Sequence, residues 1–223
     1  MLYMGGEPFQ TGAAQVSEKD IEQMRQRFAR EAMSLLERTG EEVTLSRLAG
    51  ELKIARSRVE AVFPEESDLF EAITAEWFAP KIAAMDEVMA SNLPPRRKMY
   101  EFFARRFLLM RQDFAEDPVT FRLYVELGER FFAYAQGYID LGDHYLCELI
   151  AEAQAEGHFE GLDVDLARSI INQIVSTYLM PYHIAMLGDR LTEAKLAHII
   201  DAIFDGLVAK DGGARGTSTL NAA

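Results

Sequence analysis

Residues 44–70 read TLSRLAGELKIARSRVEAVFPEESDLF, and this stretch decides the fold of the chain. Apolar residues recur in it at helical spacing on both sides of a short turn: Leu45, Leu48, Ala49 and Leu52, then Ile54, Val59 and Phe63. Basic and hydroxyl residues lie between these anchors and are left to face outward: Arg47, Lys53, Arg56, Ser57 and Arg58. This layout predicts a helix-turn-helix, a motif whose second helix enters the major groove of DNA.

The charge of this stretch differs from that of the whole chain. Residues 44–59 carry four basic residues and one acid, a balance of +3, whereas the chain has 23 basic and 36 acidic residues and a net charge of −13. Phosphate neutralisation supplies most non-specific affinity for DNA, so a chain this acidic needs a small positive face and a close fit. The alternative is that the basic cluster is only a solvated helix face.

From residue 17 to residue 79 the chain resembles the TetR family of bacterial transcriptional regulators. The residues in register with the family pattern are Thr44, Leu48-Ala49, Ile54, Val59, Phe63-Pro64 and Leu69-Phe70. The resemblance implies an all-α fold, in which an N-terminal three-helix helix-turn-helix DNA-binding domain precedes a larger C-terminal helical domain that binds a ligand and dimerises. The residues that we take as candidates for contact with double-stranded DNA are Thr44, Arg47, Lys53, Arg56, Ser57, Arg58 and Glu60.

Four positions depart from the family pattern. Lys53 replaces the Gly of the turn, where a positive φ costs another residue roughly 1–2 kcal/mol. Ala55 replaces the usual Ser or Thr cap, whose loss costs about 1 kcal/mol. Glu60 and Glu66 replace a Tyr and a Lys that reach DNA phosphates in the family, and Glu60 is spaced to pair with Arg56. We therefore expect DNA binding to persist with weak non-specific affinity.

The composition places limits on the class of protein. A chain of 223 residues, 49% hydrophobic and 26% charged, is typical of one or two globular domains with a real core. Its single cysteine, Cys147, fits a reducing cytoplasm. The first residues have neither a basic region nor a long apolar run, so no secretory signal is expected. No charged residue lies between Arg168 and Asp189, but many polar side chains do, which favours a buried helix over a membrane span.

Helical periodicity continues to the end of the chain, with breaks at Pro and Gly residues. We predict nine helices, near residues 17–38, 44–52, 55–62, 66–90, 95–115, 118–130, 134–156, 163–187 and 192–209. The predicted divisions are a disordered extension (1–16), the helix-turn-helix domain (17–64), the ligand-binding and dimerisation domain (65–210) and a disordered tail (211–223). The resemblance implies a homodimer through the last two helices, with these candidate interface residues: Ile170, Ile174, Thr177, Pro181, Leu196, Ile199, Ile203 and Leu207.

The middle helices are rich in aromatic residues, which either pack in the core or line an apolar ligand pocket. The candidates for contact with a small apolar or aromatic effector are Phe103, Phe107, Tyr124, Tyr134, Tyr138, His144, Tyr178 and His183. The sequence has no phosphate loop, nucleophile elbow or metal-binding helix motif, so we predict neither an enzyme nor a cofactor. His144 and Cys147 have the spacing of two metal ligands, but no further donors accompany them, and we predict no metal site.

Three interpretations of the function follow. The first is a cytoplasmic, homodimeric, ligand-responsive transcriptional regulator, most simply a repressor. The second is a helical small-molecule-binding module of the same descent whose DNA binding is weakened or lost. The third is a helical enzyme that works in the aromatic pocket, and only the pocket itself favours it.

Overall fold

The computed structural model describes residues 18–130 and 132–207, and every regular secondary-structure element within them is a helix. The predicted termini, 1–16 and 211–223, lie outside the described residues, as does the side chain of Tyr134. The ten α-helices are α1 (Glu18–Thr39), α2 (Leu45–Leu52), α3 (Arg56–Glu60), α4 (Glu66–Met89), α5 (Pro95–Glu116), α6 (Pro118–Arg130), α7 (Phe132–Ala155), α8 (Val164–Leu179), α9 (Pro181–Leu187) and α10 (Glu193–Gly206). The all-α prediction is confirmed.

The predicted single helix over residues 163–187 is wrong, because the chain breaks at Pro181. Proline has no N–H and cannot continue the hydrogen-bond ladder, but its fixed φ suits the first position of a new helix. Met180 is accordingly extended (φ −85°, ψ 117°), and α9 begins at Pro181. The break turns the backbone after α8, and a 3₁₀ turn over Gly188–Arg190 then leads to α10.

The first three helices form the predicted helix-turn-helix. Lys53 is left-handed (φ 54°) and ends α2. Its N–H donates to the carbonyl of Gly50 at 3.2 Å, and the Ile54 N–H donates to the carbonyl of Ala49 at 3.1 Å. This pair of bonds is a Schellman motif, which normally places Gly at the left-handed position. The turn therefore has the left-handed geometry that normally takes Gly, and the backbone strain of that geometry lies at Lys53.

Helix α4 connects the helix-turn-helix to the rest of the chain. Its first turn is closed by a capping box, in which Glu65 and Asp68 satisfy each other's backbone N–H groups. The N-terminal part of α4 packs against α1, and the helix also packs against α5 and α7. One apolar cluster runs through both parts of the chain, from Phe28 in α1 to Phe204 in α10.

Helix α5 lies at the centre of the C-terminal part. It packs against α4, α6, α7, α8, α9 and α10. Its inward face is fully buried and carries large side chains: Met99, Phe102, Phe103, Phe107 and Met110. In the part of the chain that the structure describes, no helix is both long enough and apolar enough to cross a membrane.

Candidate DNA-binding face and ligand pocket

Helix α3 presents the side chains that the sequence predicts for a recognition helix. Arg56, Ser57 and Arg58 are exposed, whereas Val59 is fully buried and fixes the helix on the core of the domain. Lys53 is exposed on the turn before it. The helix begins at Arg56 without a side-chain cap, because Ala55 offers no acceptor. Four predicted contact residues are thus accessible on α3 and the turn before it.

Two of the basic side chains on this face are already paired with carboxylates. Arg56 Nε donates to Glu60 Oε1 at 2.8 Å, as the spacing of the two residues predicts. Arg47 Nη1 lies 2.7 Å from Glu41 Oε2. Both pairs are substantially exposed, and exposed pairs contribute only about 0–1 kcal/mol. A DNA phosphate or base can therefore replace the carboxylates at little cost.

The N-terminus of α2 is filled by side chains of the chain itself. The Thr44 hydroxyl oxygen accepts the Arg47 N–H at 3.2 Å, which makes Thr44 the cap of this helix. The carboxylate of Glu66, from the start of α4, accepts the Leu45 N–H at 2.9 and 3.1 Å. Helix N-termini attract phosphate, so Glu66 occupies a position where an anion would otherwise bind. Sequence reasoning missed this contact, since nothing local joins residues 45 and 66.

An apolar pocket of about 330 Å³ opens among α4, α5, α6, α7, α8 and the start of α9. Of the predicted ligand-binding residues, Tyr124 and Tyr138 line it. The ring of Tyr138 stacks on Phe78 with centroids 4.0 Å apart. The ring of Tyr124 stacks on Trp77 at 5.5 Å. The other lining residues include Arg106, Gly128, Phe132, Ala135, Ile139, Gly142, Asn172, Ser176, Leu179, Met180, Pro181 and Tyr182.

Five of the predicted ligand-binding residues do not line this pocket. Phe103 and Phe107 are fully buried core residues, and Tyr178 is buried beside Phe107 with ring centroids 5.1 Å apart. His144 is exposed and lies 3.3 Å from Glu148 one turn further along α7. His183 lies outside the lining, although its buried Nδ1 has no hydrogen-bond partner.

Sequence reasoning missed the contribution of α4 and the one charged residue that is buried in the wall. Trp77 and Phe78 lie in α4, a helix that holds none of the predicted ligand-binding residues. Arg106 is buried at 6% exposure, and its position in the apolar stripe, four residues after Phe102 and four before Met110, was the signal available.

The residues predicted for the dimer interface differ in their burial within the chain. Leu196, Ile203 and Leu207 are buried within the chain, because α10 packs against α5 and α8. Pro181 lines the apolar pocket. Ile170 and Ile199 are partly buried against the core, Thr177 is half-buried, and Ile174 is exposed.

A second, polar pocket of about 340 Å³ lies beneath α1, among α4, α5 and α6. Trp77 and Tyr124 line both pockets, so this stacked pair is the wall between them. The buried Lys81 Nζ donates to Asp113 Oδ2 at 2.5 Å, and burial lowers its pKa. Burial raises the pKa of Tyr124, and the charge of Glu37 in α1 adds to this effect. Burial likewise raises the pKa of Glu37, with a further contribution from Asp117.

Comparisons with known proteins agree with this architecture. Residues 95–200 match the family described as the tetracyclin repressor-like, C-terminal domain. The structure resembles that of the fatty acid degradation regulator FadR from Bacillus halodurans, at 17% identity over 81% of this chain and 94% of that one, with a TM-score of 0.56. It also resembles FadR from Bacillus subtilis in complex with stearoyl-CoA, at 20% identity over 84% and 98% of the two chains, with a TM-score of 0.54. Among curated proteins, no sequence matches the chain.

The matched domain follows the helix-turn-helix along the chain. Residues 95–200 therefore resemble the tetracyclin repressor-like, C-terminal domain, and the chain shares its fold with these regulators.

Proposed function

We propose that this protein represses transcription as a homodimer that is released from its DNA operator when a small apolar effector enters the apolar pocket. The observation that carries the proposal is the shared use of α4. Its residues Trp77 and Phe78 form a wall of the pocket, while the preceding turns of the same helix pack against α1 of the helix-turn-helix. A ligand that displaces this wall therefore acts on the DNA-binding domain directly.

The contacts between the two parts are specific enough to transmit such a movement. Three ion pairs join them, Arg25–Glu71 at 3.1 Å, Arg30–Glu76 at 2.8 Å and Arg130–Glu42 at 2.9 Å. The first two connect α1 to α4, and the third connects the end of α6 to the loop before α2. Both helices that hold the stacked Trp77–Tyr124 pair are thus tied to the helix-turn-helix.

The proposed dimer is revised to the outward face of α8. Leu166 and Ile174 are 41% and 43% exposed, and Ile170 and Thr177 continue the same stripe at helical spacing. Two such faces related by a two-fold axis would place two recognition helices on successive half-sites. Sedimentation at micromolar concentration should give a dimer, and an I174E variant should give a monomer. A monomeric wild-type chain would contradict this part of the proposal.

The effector class is supported by the pocket and by one relative. The lining is mostly apolar and aromatic, and its volume lies near the lower end of the roughly 300–1,000 Å³ of ligand pockets. FadR from Bacillus subtilis is described with stearoyl-CoA bound in the same fold. We assign no catalytic step to the pocket, and we place the protein in the cytoplasm because its proposed partner is DNA.

The test is a titration of the purified protein against DNA from beside its own gene, with and without a candidate effector. By linkage, an effector that releases DNA must itself bind more weakly when DNA is held. We expect operator affinity to fall at saturating effector and effector affinity to fall by the same factor when DNA is saturating. Unchanged operator affinity at saturating effector would remove the switch and leave constitutive repression.

A second candidate function is a ligand-binding module that has lost DNA affinity. The carboxylates of Glu60 and Glu66 favour it, since one pairs with Arg56 and the other occupies the N-terminus of α2. Salt dependence separates the two candidates, because a DNA-bound protein loses affinity with a log–log slope of about −0.9 for each phosphate it neutralises. Binding that is weak and shows a slope near zero would favour the module.

A further inference from the structure

Arg106 is a buried cation in the wall of the apolar pocket that has no carboxylate partner within the described part of the chain. Its side chain is 6% exposed. Its Nε donates to the Tyr138 hydroxyl at 2.9 Å. Its guanidinium carbon lies 5.1 Å from the ring centroids of both Phe102 and Tyr138. Neither of its two Nη groups donates a hydrogen bond to any described residue.

This arrangement is unusual for a buried charge. An Arg cannot lose its proton, and buried charges in proteins are normally paired because desolvation costs several kcal/mol. The neighbouring Arg105 shows the ordinary alternative, since it points outward and pairs with Glu87 and Glu101. The Nη groups of Arg106, which make no hydrogen bond to a described residue, are therefore available to bind an anionic ligand in the pocket.

The guanidinium of Arg106 lies against α7 at Gly142. A Cβ at that position would be in van der Waals contact with Nη2, at 3.4 Å. The Tyr138 oxygen accepts from Nε, which leaves the phenol proton for a ligand acceptor. The fork of Nη1 and Nη2, with this hydroxyl beside it, matches the two oxygens of a carboxylate.

We propose that the effector is an amphiphilic carboxylate, whose carboxylate binds Arg106 and Tyr138 and whose apolar tail lies against Trp77, Phe78 and Met180. This inference rests on the proposed function only in taking the pocket as the effector site. It assigns the charge, the headgroup and the orientation of the ligand.

The other charges of the lining limit the ligand to a single negative charge. Asp143 forms an ion pair with Arg168 and accepts a hydrogen bond from the side-chain amide of Asn172, and Glu129 is exposed. Arg106 is the only cation in the described lining. A second negative charge would remain unpaired beside Asp143 and Glu129, at the cost of desolvation. A multiply charged headgroup such as coenzyme A does not fit inside this pocket.

Trp77 provides the measurement, because it is the single tryptophan of the chain and lines the pocket. Its fluorescence is recorded while the full-length protein is titrated with dodecanoate, dodecanol and dodecyltrimethylammonium. Each probe is kept below the concentration at which it aggregates in solution. The three probes share one tail and differ in the charge of the headgroup. We expect dodecanoate to bind most tightly, dodecanol more weakly and the cation most weakly of all.

The variants are R106Q and, as its matched control, R105Q. Removing one partner of a buried charge pair typically costs at least about 2 kcal/mol, so R106Q should weaken dodecanoate binding about 30-fold or more. It should leave the affinity for dodecanol unchanged, and R105Q should leave both affinities unchanged. If R106Q does not fold, Y138F keeps the ring that stacks on Phe78 and should weaken only dodecanoate, about fivefold.

The outcomes separate this inference from the proposed function. Equal affinity for dodecanoate and dodecanol, or an R106Q or Y138F variant with unchanged preference for the acid, would overturn the carboxylate assignment while leaving the pocket as an effector site. No binding of any probe by a folded protein would overturn it as well. Arg106-dependent binding of dodecanoate that does not release DNA would support the inference and contradict the proposed switch.

Discussion

Replacement of Glu66 by Gln is predicted to weaken the fold and to strengthen DNA binding at the same time. The Glu66 carboxylate accepts the Leu45 N–H through both oxygens, at 2.9 and 3.1 Å, at the N-terminus of α2. Gln keeps an acceptor but loses the charge. Hydrogen bonds to charged groups contribute roughly 1.5–3 kcal/mol and neutral ones roughly 0.5–1.5 kcal/mol, so E66Q should lose about 1 kcal/mol of stability. For a chain of this size that lowers Tm by about 2–4 °C.

The effect on DNA has the opposite sign. Two unit charges about 4 Å apart in water interact by about 1 kcal/mol, and salt reduces this value with distance. Removing the carboxylate should therefore improve binding by about 0.5–1 kcal/mol in each half-site, which is about fivefold to thirtyfold for a dimer. E156Q provides the control, because Glu156 is exposed after α7 and its replacement makes the same change in net charge outside the helix-turn-helix.

The assays are thermal unfolding and DNA anisotropy at a single salt concentration. The reasoning would be refuted if E66Q bound DNA no more tightly than E156Q, or if it melted at the wild-type temperature. The first result would place the N-terminus of α2 away from the phosphates. The second would show that the Leu45 N–H does not depend on the charge of its acceptor.

Three further predictions concern single residues. E60Q frees Arg56 from an exposed ion pair that contributes about 0–1 kcal/mol, so anisotropy should show DNA affinity rising at most a few-fold for each half-site. A much larger rise would mean that Glu60 holds Arg56 firmly in the free protein. K53G removes left-handed backbone strain of roughly 1–2 kcal/mol but costs about 0.5–1 kcal/mol in chain entropy. Urea unfolding should therefore show a small net gain in the free energy of unfolding, and a lower free energy of unfolding would contradict the strain at Lys53. Burial, with help from Asp117, raises the pKa of Glu37 above its ordinary 4.5, so the contribution of Glu37 to stability is present at acidic pH and lost as pH rises through the folded pKa. The E37Q variant should therefore unfold at a higher temperature than wild type at neutral pH and show little advantage near pH 4.5. An advantage that did not vary with pH would contradict this pKa shift.

The helix-turn-helix was predictable from the sequence because local interactions determine it. The apolar spacing around Leu48 and Val59 fixes two short helices, and the turn at Lys53 keeps its geometry even without Gly. The pair of Arg56 with Glu60 was predictable for the same reason, since four residues on a helix form one turn. Contacts of this kind depend on separation along the chain, which the sequence states directly.

The pocket and the interface were predicted less well because tertiary packing determines them. Phe107 and Tyr138 are both aromatic residues of middle helices, but only the rotation of α5 and α7 makes one a core residue and the other a lining residue. The apolar stripe of α10 was assigned to a partner subunit, whereas Leu196 and Ile203 are buried by the chain's own α5 and α8. Periodicity shows that a face is buried and does not show what covers it.

The most direct test of the central claim is the salt dependence of binding to DNA from beside the gene of this protein. Each half-site offers Lys53 and Arg58, which form no ion pair with a described residue, and Arg47 and Arg56, which are paired with carboxylates. If each cation that engages neutralises one phosphate, a dimer should show a log–log slope between about −4 and about −7, measured from about 50 to about 200 mM salt. A slope in that range, with binding that resists competitor DNA, is the result that the account predicts. No binding at the lower salt concentration would contradict it and leave the apolar pocket as the working site of the protein.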